Sequence, residues 1–183
     1  MISREYSCIF IHNRKCAGSS IIRSFGFSPA DHEWHLYNDG TQSAEWVALS
    51  AKDKQHFLVF SVVRNPWDRF ISGWRYLKRF RNLTLDEVLD NLPYEGHDYR
   101  HLVRPQVDIL LDDRGKFAPN VLLRYESLRQ DYYELCIKLG KPFLLPHINS
   151  TKRGDYRQYF SQSQAARVRN LFEEDIERFG YRF

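Results

Sequence analysis

One pattern occurs twice in the chain: a short apolar run, then a polar and basic turn, then a helical pattern. Residues 7–11 (SCIFI) precede HNRKCAGSS, and residues 57–63 (FLVFSVV) precede RNPWD. Continuous apolar runs rich in β-branched and aromatic residues are typical of strands buried on both faces of a parallel sheet. Residues 120–124 (NVLLR) form a third, weaker run.

Each run leads into a helical pattern, over residues 19–25, 66–80 and 128–139, and Gly140 ends the last as a C-terminal cap. Strand followed by helix, repeated, predicts an α/β fold with a mostly parallel central sheet flanked by helices. Two further helices begin at capping boxes, Thr84 with Glu87 and Ser161 with Gln164. Apolar side chains at helical spacing follow both boxes, so these stripes are expected in the core.

Length and composition limit the remaining possibilities. With 183 residues, 43% of them hydrophobic, the chain fills one core, and we expect a single domain over residues 1–183. The net charge of +4 is modest and favours anionic partners. No apolar run reaches the roughly 18 residues of a membrane helix, and Cys8, Cys16 and Cys136 lack metal-binding spacing. These features predict a cytoplasmic protein without a membrane partner.

The first polar turn has the composition of a phosphate-binding loop. A buried strand that enters a helix surrounds a small space with backbone N–H groups and the positive end of the helix, which suits a phosphate. Lys15 adds a charge, Ser19 and Ser20 add hydroxyl groups, and Gly18 permits close approach to the backbone. The turn is P-loop-like but not the nucleoside-triphosphate version, because its lysine precedes its glycine. The alternative is a strand-to-helix turn with ordinary caps.

The second turn places an arginine directly after a strand. Asn65 and Pro66 are typical of the N-cap and first position of a helix, and Asp68 lies near its positive end. Arg64 then lies at the carboxyl end of the strand, where open α/β sheets bind ligands, and its planar guanidinium suits a second phosphate. The alternative is that Arg64 serves only in an ion pair with Asp68.

Together the two turns resemble the sulfotransferases that use 3′-phosphoadenosine 5′-phosphosulfate (PAPS), in particular the branch that includes carbohydrate sulfotransferases. The family's 5′-phosphosulfate motif, H-x-P-K-[TC]-[AG]-G-[ST]-[ST], is matched except that Arg14 stands where proline is usual; the matching residues are His12, Lys15, Cys16, Ala17, Gly18, Ser19 and Ser20. The 3′-phosphate motif, R-N-P-x-D-R-x-x-S-x-[YW], is matched completely by Arg64, Asn65, Pro66, Asp68, Arg69, Ser72 and Trp74. Weaker similarities at 101–106, 124–128, 145–150 and 175–181 extend the resemblance over nearly the whole chain.

The resemblance implies transfer of a sulfuryl group from PAPS to a hydroxyl or amine acceptor, with 3′-phosphoadenosine 5′-phosphate (PAP) as product. Lys15 is the implied catalytic cation, and Arg64 and Ser72 would bind the 3′-phosphate. The further donor-binding residues are Arg14, Lys15, Cys16, Ala17, Gly18, Ser19, Ser20 and Arg153. We expect no metal, because lysine and the helix dipole can replace magnesium and because His32 and His35 lack further ligands at credible spacing.

The acceptor must lose a proton, and the family uses a histidine or a glutamate for this step. His35 is our candidate base, since it follows the first helix in a polar, turn-rich segment, as in the family's histidine-dependent members. A surface histidine is the alternative there, with His32, Glu33 and His101 as rival bases. His101, with Arg104 and Gln106, could also line the acceptor cleft or cap the next helix, and His12 is expected to serve structurally.

Two other classes of function remain open from the residues. A non-catalytic binder of phosphorylated nucleotides or polyanions would keep both anion sites and lack a base. Nucleic-acid binding would use a basic helix face, but the small charge excess disfavours it; the face comprises Arg69, Arg75, Lys78, Arg79 and Arg81. We therefore expect a small-molecule or carbohydrate acceptor and no nucleic acid.

Overall fold

The computed structural model describes residues 1–26, 55–112, 114–146 and 154–183 of the chain. The chain divides into two compact units, one of Met1–Val63 with Ile109–Ser150 and one of Arg64–Asp108 with Thr151–Phe183. Each unit has its own buried apolar cluster. The single domain over residues 1–183 therefore stays a prediction.

Four strands form one sheet in the described part of the first unit. They are β1 (Ile2–Ser3), β2 (Cys8–Ile11), β3 (Leu58–Val63) and β4 (Val121–Arg124), in that spatial order. β2, β3 and β4 run parallel, and β1 pairs antiparallel with β2. The predicted α/β class with a mostly parallel sheet is confirmed. Each long strand begins one residue later than predicted; before β2 this is because Ser7 has φ 45°, outside the extended region.

The helices have the following bounds: α1 Gly18–Ser24, α2 Pro66–Tyr76, α3 Leu85–Asp90, α4 Gly96–Leu102, α5 Gln106–Leu110, α6 Leu128–Leu139, α7 Gln162–Leu171 and α8 Glu173–Phe179. Short 3₁₀ turns occupy Tyr125–Ser127 and Tyr156–Tyr159. Among the described residues, no helix is long and apolar enough to cross a membrane.

The core of the first unit explains why the strand runs are continuously apolar. Phe10 of β2 and Phe60 of β3 stack with ring centroids 5.1 Å apart, and both are fully buried. Ile21 of α1 and Leu135 of α6 belong to the same buried cluster. A strand with helices packed against the sheet has little surface left for water, so alternation of polar residues is not required.

The core of the second unit is centred on the apolar face of α2. Trp67, Phe70 and Trp74 are buried there, together with Val168 and Phe172. The Trp67 indole N–H donates to the Ala165 carbonyl at 2.9 Å, which satisfies its polar atom. Both predicted capping boxes are present, one at the start of α3 and one at the start of α7.

Helix boundaries differ from the sequence prediction in three places, the smallest being α1, which begins and ends one residue earlier than predicted. α2 ends at Tyr76 instead of Phe80, since the Leu77 backbone is extended and the Trp74 indole donates to the Phe80 carbonyl at 2.8 Å. This bond holds the following turn back against the helix. The apolar stripe after Ser161 spans two helices, because Phe172, buried against Phe70, leaves the helical region with φ −126° and ψ 30°.

Candidate functional site

The turn that follows β2, residues 12–20, is called here the first loop, and its backbone is strained at two positions. Lys15 has φ 66° and Ala17 has φ 59°, both in the left-handed region although neither is glycine. Such residues cost on the order of 1–3 kcal/mol each and collect at functional sites. Left-handed residues in a turn direct consecutive N–H groups toward one side and so form an anion-binding concavity.

The start of α1 completes this concavity. Ala17 is the N-cap residue, and its side chain makes no capping hydrogen bond. Its carbonyl accepts from the N–H groups of Ser20 and Ile21 at 3.0 and 3.3 Å. The first N–H groups of any α-helix lack partners within the helix, and Ala17 has no side-chain acceptor to offer them. An anion is the natural cap for such a start.

His12 and Gly18 fit against each other within the first loop. A Cβ atom placed on Gly18 would lie 2.0 Å from Nε2 and 2.2 Å from Cδ2 of the His12 ring. Only glycine leaves room for that ring. Phe10 also stacks on the His12 imidazole, with 5.9 Å between the ring centroids. The structure therefore gives His12 a packing role, in agreement with the sequence prediction.

Two side chains that the motif comparison did not use anchor the loop to the sheet. The Asn13 amide donates to the Val62 carbonyl at 3.1 Å, and the Ser61 hydroxyl donates to the Ile11 carbonyl at 2.8 Å. Asn13 and Ser61 are buried. A polar residue inside the apolar run at Ser61 was the available signal, because a buried hydroxyl requires a partner.

The predicted donor-binding side chains differ in their exposure. Arg14 and Lys15 are half-buried, Ser19 is exposed, and Ser20 is buried. Cys16 is fully buried and its thiol contacts the Arg14 carbonyl at 3.4 Å. Cys16 is thus part of the packing beneath the loop, whereas Lys15 and Ser19 are open to solvent on at least one side.

The second turn and the helix that it starts, residues 64–72, are called here the second segment. The Arg64 guanidinium contacts the Asp68 carboxylate through Nε at 2.8 Å and through Nη2 at 2.7 Å. The predicted ion pair is therefore present, and Arg64 is buried. The contact engages one edge of a group that has five N–H donors, so it orients the guanidinium.

Helical spacing places Ser72 on the same face as Asp68. Residues four apart on a helix are neighbours, so Asp68 and Ser72 follow one another along α2. Ser72 is half-buried. Asn65 begins this helix as predicted: its side chain accepts from Trp67 N at 3.1 Å and its amide donates to the Tyr156 hydroxyl and to the Arg182 carbonyl.

Sequence reasoning did not identify what holds the Arg64 backbone. The Gln106 side chain accepts from Arg64 N at 3.0 Å and donates to the Arg64 carbonyl at 2.8 Å. The Asp175 carboxylate in turn accepts from Gln106 N and Val107 N, each at 2.8 Å. Gln106 and Asp175 are fully buried. Burial raises the pKa of the Asp175 carboxyl, while the positive charge of Arg69 and the two N–H groups oppose that rise.

His101 lies within α4, where it is buried. Its Nδ1 atom lies 2.8 Å from the His97 carbonyl of the same helix; its ring stacks on Tyr76 with centroids 5.2 Å apart and is tilted against the His97 ring at 4.1 Å. The His101 carbonyl would lie 2.5 Å from a Cβ atom on Gly73, so that glycine permits close packing of α2 and α4. The role of His101 as a base or as a ligand of the acceptor stays a prediction.

The remaining base candidates and Arg153 lie outside the described residues; they are His32, Glu33 and His35 within 27–54, and Arg153 within 147–153. Within the described ranges, no group of three or more His, Cys, Asp and Glu residues is arranged to hold a metal ion.

The predicted basic helix face is not formed as the sequence suggested. Arg69 is fully buried, with its guanidinium donating to the Arg104 carbonyl at 2.7 Å. α2 ends at Tyr76, so Lys78, Arg79 and Arg81 lie beyond the helix. Helical spacing alone could not reveal that Arg69 has a partner in the interior.

The strained loop between β2 and α1, on a mostly parallel sheet, gives the chain the architecture of a P-loop-like protein. A model of the Sulfotransferase family matches residues 1–121, which include the first loop and the second segment. The chain therefore belongs to the sulfotransferase family, which places it among the enzymes that transfer sulfuryl groups. An uncharacterized protein of Archaeoglobus fulgidus is 29% identical over 123 residues, covering 62% of this chain and 96% of that protein. No solved structure matches the chain.

Proposed function

We propose that this protein transfers the sulfuryl group of PAPS to a hydroxyl or amine acceptor. The observation that carries the proposal is the left-handed backbone at Lys15 and Ala17, in a loop that ends at the uncapped start of a helix. Strain of this kind is retained where a function requires the geometry. Family membership supplies the class of reaction.

In the proposed reaction, a base removes the acceptor proton, the acceptor oxygen or nitrogen attacks sulfur, and the bond from sulfur to the 5′-phosphate oxygen breaks. PAP leaves with the electron pair of that bond. Such transfers depend mainly on in-line positioning and on stabilising the charge that develops on the leaving oxygen. The Lys15 ammonium would bond that oxygen more strongly as the bond breaks, which lowers the barrier.

The residues divide the donor between them. Gly18, Ser19 and Ser20 would bind the 5′-phosphate, with Arg14, Cys16 and Ala17 forming the rest of the loop. Arg64 and Ser72 would bind the 3′-phosphate, and Arg153 would add a further donor contact. Asp68, which holds one edge of the Arg64 guanidinium, would fix the direction in which the group donates.

His35 is the proposed base, and its rivals are His32, Glu33 and His101. The acceptor is proposed to be a small molecule or a carbohydrate, since hydroxyl and amine groups of that kind accept sulfuryl groups. The three buried thiols favour a reducing compartment such as the cytoplasm.

The test is incubation of the protein with PAPS and a panel of hydroxyl and amine acceptors, following release of PAP and the sulfated product. Acceptor-dependent PAP release supports the proposal. Tight PAP binding without turnover on any acceptor would favour the non-catalytic nucleotide binder instead, because that protein would keep the anion sites and lack a base. Absence of PAP binding would contradict both.

A further inference from the structure

The Gln106 side-chain amide bonds both backbone groups of Arg64. Its Oε1 accepts from the Arg64 N–H at 3.0 Å and its Nε2 donates to the Arg64 carbonyl at 2.8 Å. Arg64 lies between the end of β3 at Val63 and the start of α2 at Pro66, outside both elements. Gln106 therefore satisfies backbone groups in a connection that neither a sheet nor a helix stabilises.

The pair of bonds from Gln106 to Arg64 is called here the Gln106 clamp. Asp175 in turn holds Gln106. Gln106 is the first residue of α5, and both carboxylate oxygens of Asp175 cap this helix by accepting from Gln106 N and Val107 N, each at 2.8 Å. Asp175 is fully buried on α8, and the charge of the fully buried Arg69 acts on it. Buried polar groups whose hydrogen bonds are satisfied in this way are rigid.

Arg64 is thus fixed at two levels. Gln106 fixes its backbone, and Asp68 fixes its guanidinium through contacts of 2.8 and 2.7 Å. A bidentate contact to a phosphate depends on the position and plane of the guanidinium, and a displacement of about 1 Å loses much of its value.

We propose that Gln106 is a positioning residue for the 3′-phosphate, which makes the protein selective for 3′-phosphorylated adenine nucleotides by fixing the Arg64 backbone. The inference rests on the proposed function, since it assumes that Arg64 binds this phosphate. Asp175 supports the same arrangement through its contacts with Gln106 and its bond to Val107 N.

The test compares the affinities of PAP and of adenosine 5′-phosphate, which lacks the 3′-phosphate, by calorimetry on the full chain. Selectivity is measured by the dissociation constant of adenosine 5′-phosphate divided by that of PAP, so a larger ratio means a stronger preference for PAP. Gln106→Met removes both bonds at similar volume, and we expect the ratio to fall by about tenfold while binding of adenosine 5′-phosphate changes less than about threefold. Arg64→Ala gives the lower limit of the ratio.

The matched control is Asn120→Leu, which removes another side-chain bond to a backbone N–H, the 2.8 Å bond from Val59 N to Asn120 Oδ1. This change should leave the ratio unaltered. Equal weakening of both ligands in Gln106→Met, or an unchanged ratio, would overturn the inference while leaving the proposed function intact. A wild-type protein that does not prefer PAP, or an Arg64→Ala variant that keeps the preference, would overturn the proposed function and the inference with it.

If Gln106→Met does not fold, Gln106→Glu is used. A glutamate keeps the acceptor for Arg64 N but places a carboxylate oxygen against the Arg64 carbonyl, whereas a protonated glutamic acid can donate there as the amide does. We expect low selectivity at pH 8 and recovery toward the wild-type ratio, measured at the same pH, as the pH falls toward 5. An equal ratio in the Gln106→Glu variant and the wild-type protein at pH 8 would overturn the inference.

Discussion

The first loop and the second segment each follow a strand of the same sheet, yet they are built in different ways. In the first loop the backbone would form the proposed anion site: Lys15 and Ala17 adopt left-handed conformations, and the Ala17 side chain makes no capping bond at the start of α1. In the second segment no residue has a positive φ, and side chains hold Arg64: Gln106 bonds its backbone and Asp68 bonds its guanidinium.

This difference indicates a division of labour. Backbone N–H groups are fixed in place and suit a phosphate or sulfuryl group whose charge changes during the reaction. A guanidinium held by other side chains suits recognition of a phosphate that does not react, because its planar donors give selectivity. We therefore expect changes in the first loop to affect the reaction rate and changes in the second segment to affect donor choice.

The largest expected effect on stability comes from the support of the second segment. Asp175→Ala removes the acceptors of two buried N–H groups and leaves the charge of the buried Arg69 without its carboxylate. Loss of one member of a buried charged pair costs roughly 3–5 kcal/mol of the free energy of unfolding. Urea denaturation measures the loss, and a loss below about 1 kcal/mol would show that α8 does not support the segment.

Asp175→Asn refines this result through its pH dependence. Because burial raises the pKa of the Asp175 carboxyl, the folded state favours its protonation. Its contribution to stability is then fully present below the ordinary carboxyl pKa of roughly 3.9 and is lost as the pH rises through the raised pKa. The stability difference between wild type and Asp175→Asn should shrink from pH 4 to pH 7, and a difference that grows would contradict the direction of the shift.

The next prediction concerns the reaction rate and the general base, which in our proposal lies in neither the first loop nor the second segment. His35→Ala should lower the rate at saturating donor by 10²-fold or more, in the range of roughly 10²–10⁴-fold for a general base. It should also flatten the fall in rate at acid pH, since only a neutral imidazole accepts a proton. Donor binding should remain nearly unchanged in calorimetry. If the rate of His35→Ala still falls at acid pH, or if the variant keeps more than about a tenth of the wild-type rate, the base would instead be Glu33, His32 or His101.

Arg64→Ala tests the second segment as a selective phosphate ligand. A charge-assisted contact is worth roughly 1.5–3 kcal/mol, so PAP binding should weaken by about 10–100-fold and adenosine 5′-phosphate binding far less. Arg75→Ala is the control, because Arg75 lies on α2, the helix that follows Arg64, and its guanidinium lies over the Trp74 ring at 4.5 Å. Similar weakening of both ligands would give Arg64 a structural role.

The smallest expected effect, a loss of about 1–3 kcal/mol in stability, tests the packing of the first loop. Gly18→Ala would place a Cβ atom 2.0 Å from the His12 ring, so the ring or the loop must shift. His12→Ala in the same chain should recover part of the loss, as seen by thermal unfolding with and without PAP. Gly154→Ala is the control, since a Cβ atom on Gly154 would lie 2.8 Å from Oε1 of Gln158, at the end of a flexible side chain that can move away. No recovery in the double variant would mean that the loop fails for another reason.

Local patterns predicted the elements but not the long-range contacts. The Asn65 cap, both capping boxes and the end of α6 at Gly140 follow from residues a few positions apart, and the structure has all of them. The Gln106 clamp joins residues 42 positions apart and the Asp175 cap joins residues 69 apart. Such contacts leave no periodicity in a single sequence, which also explains why the pattern predicts a surface position for Arg69.

The site was predictable where it depends on composition and order. The loop residues and Arg64 could be selected because a strand, a basic turn and a helix follow one another, and the family comparison covers both. Left-handed backbone at Lys15 and Ala17 could not be predicted, because neither residue type favours it.

The most direct test of the division of labour is the single-turnover rate with saturating PAPS in two variants. Lys15→Ala should slow the chemical step by roughly 10²–10³-fold, the usual cost of removing a group that stabilises developing negative charge. Arg64→Ala should need more PAPS to saturate but then react at nearly the wild-type rate. Equal slowing in both variants, or slowing in Arg64→Ala alone, would contradict the account.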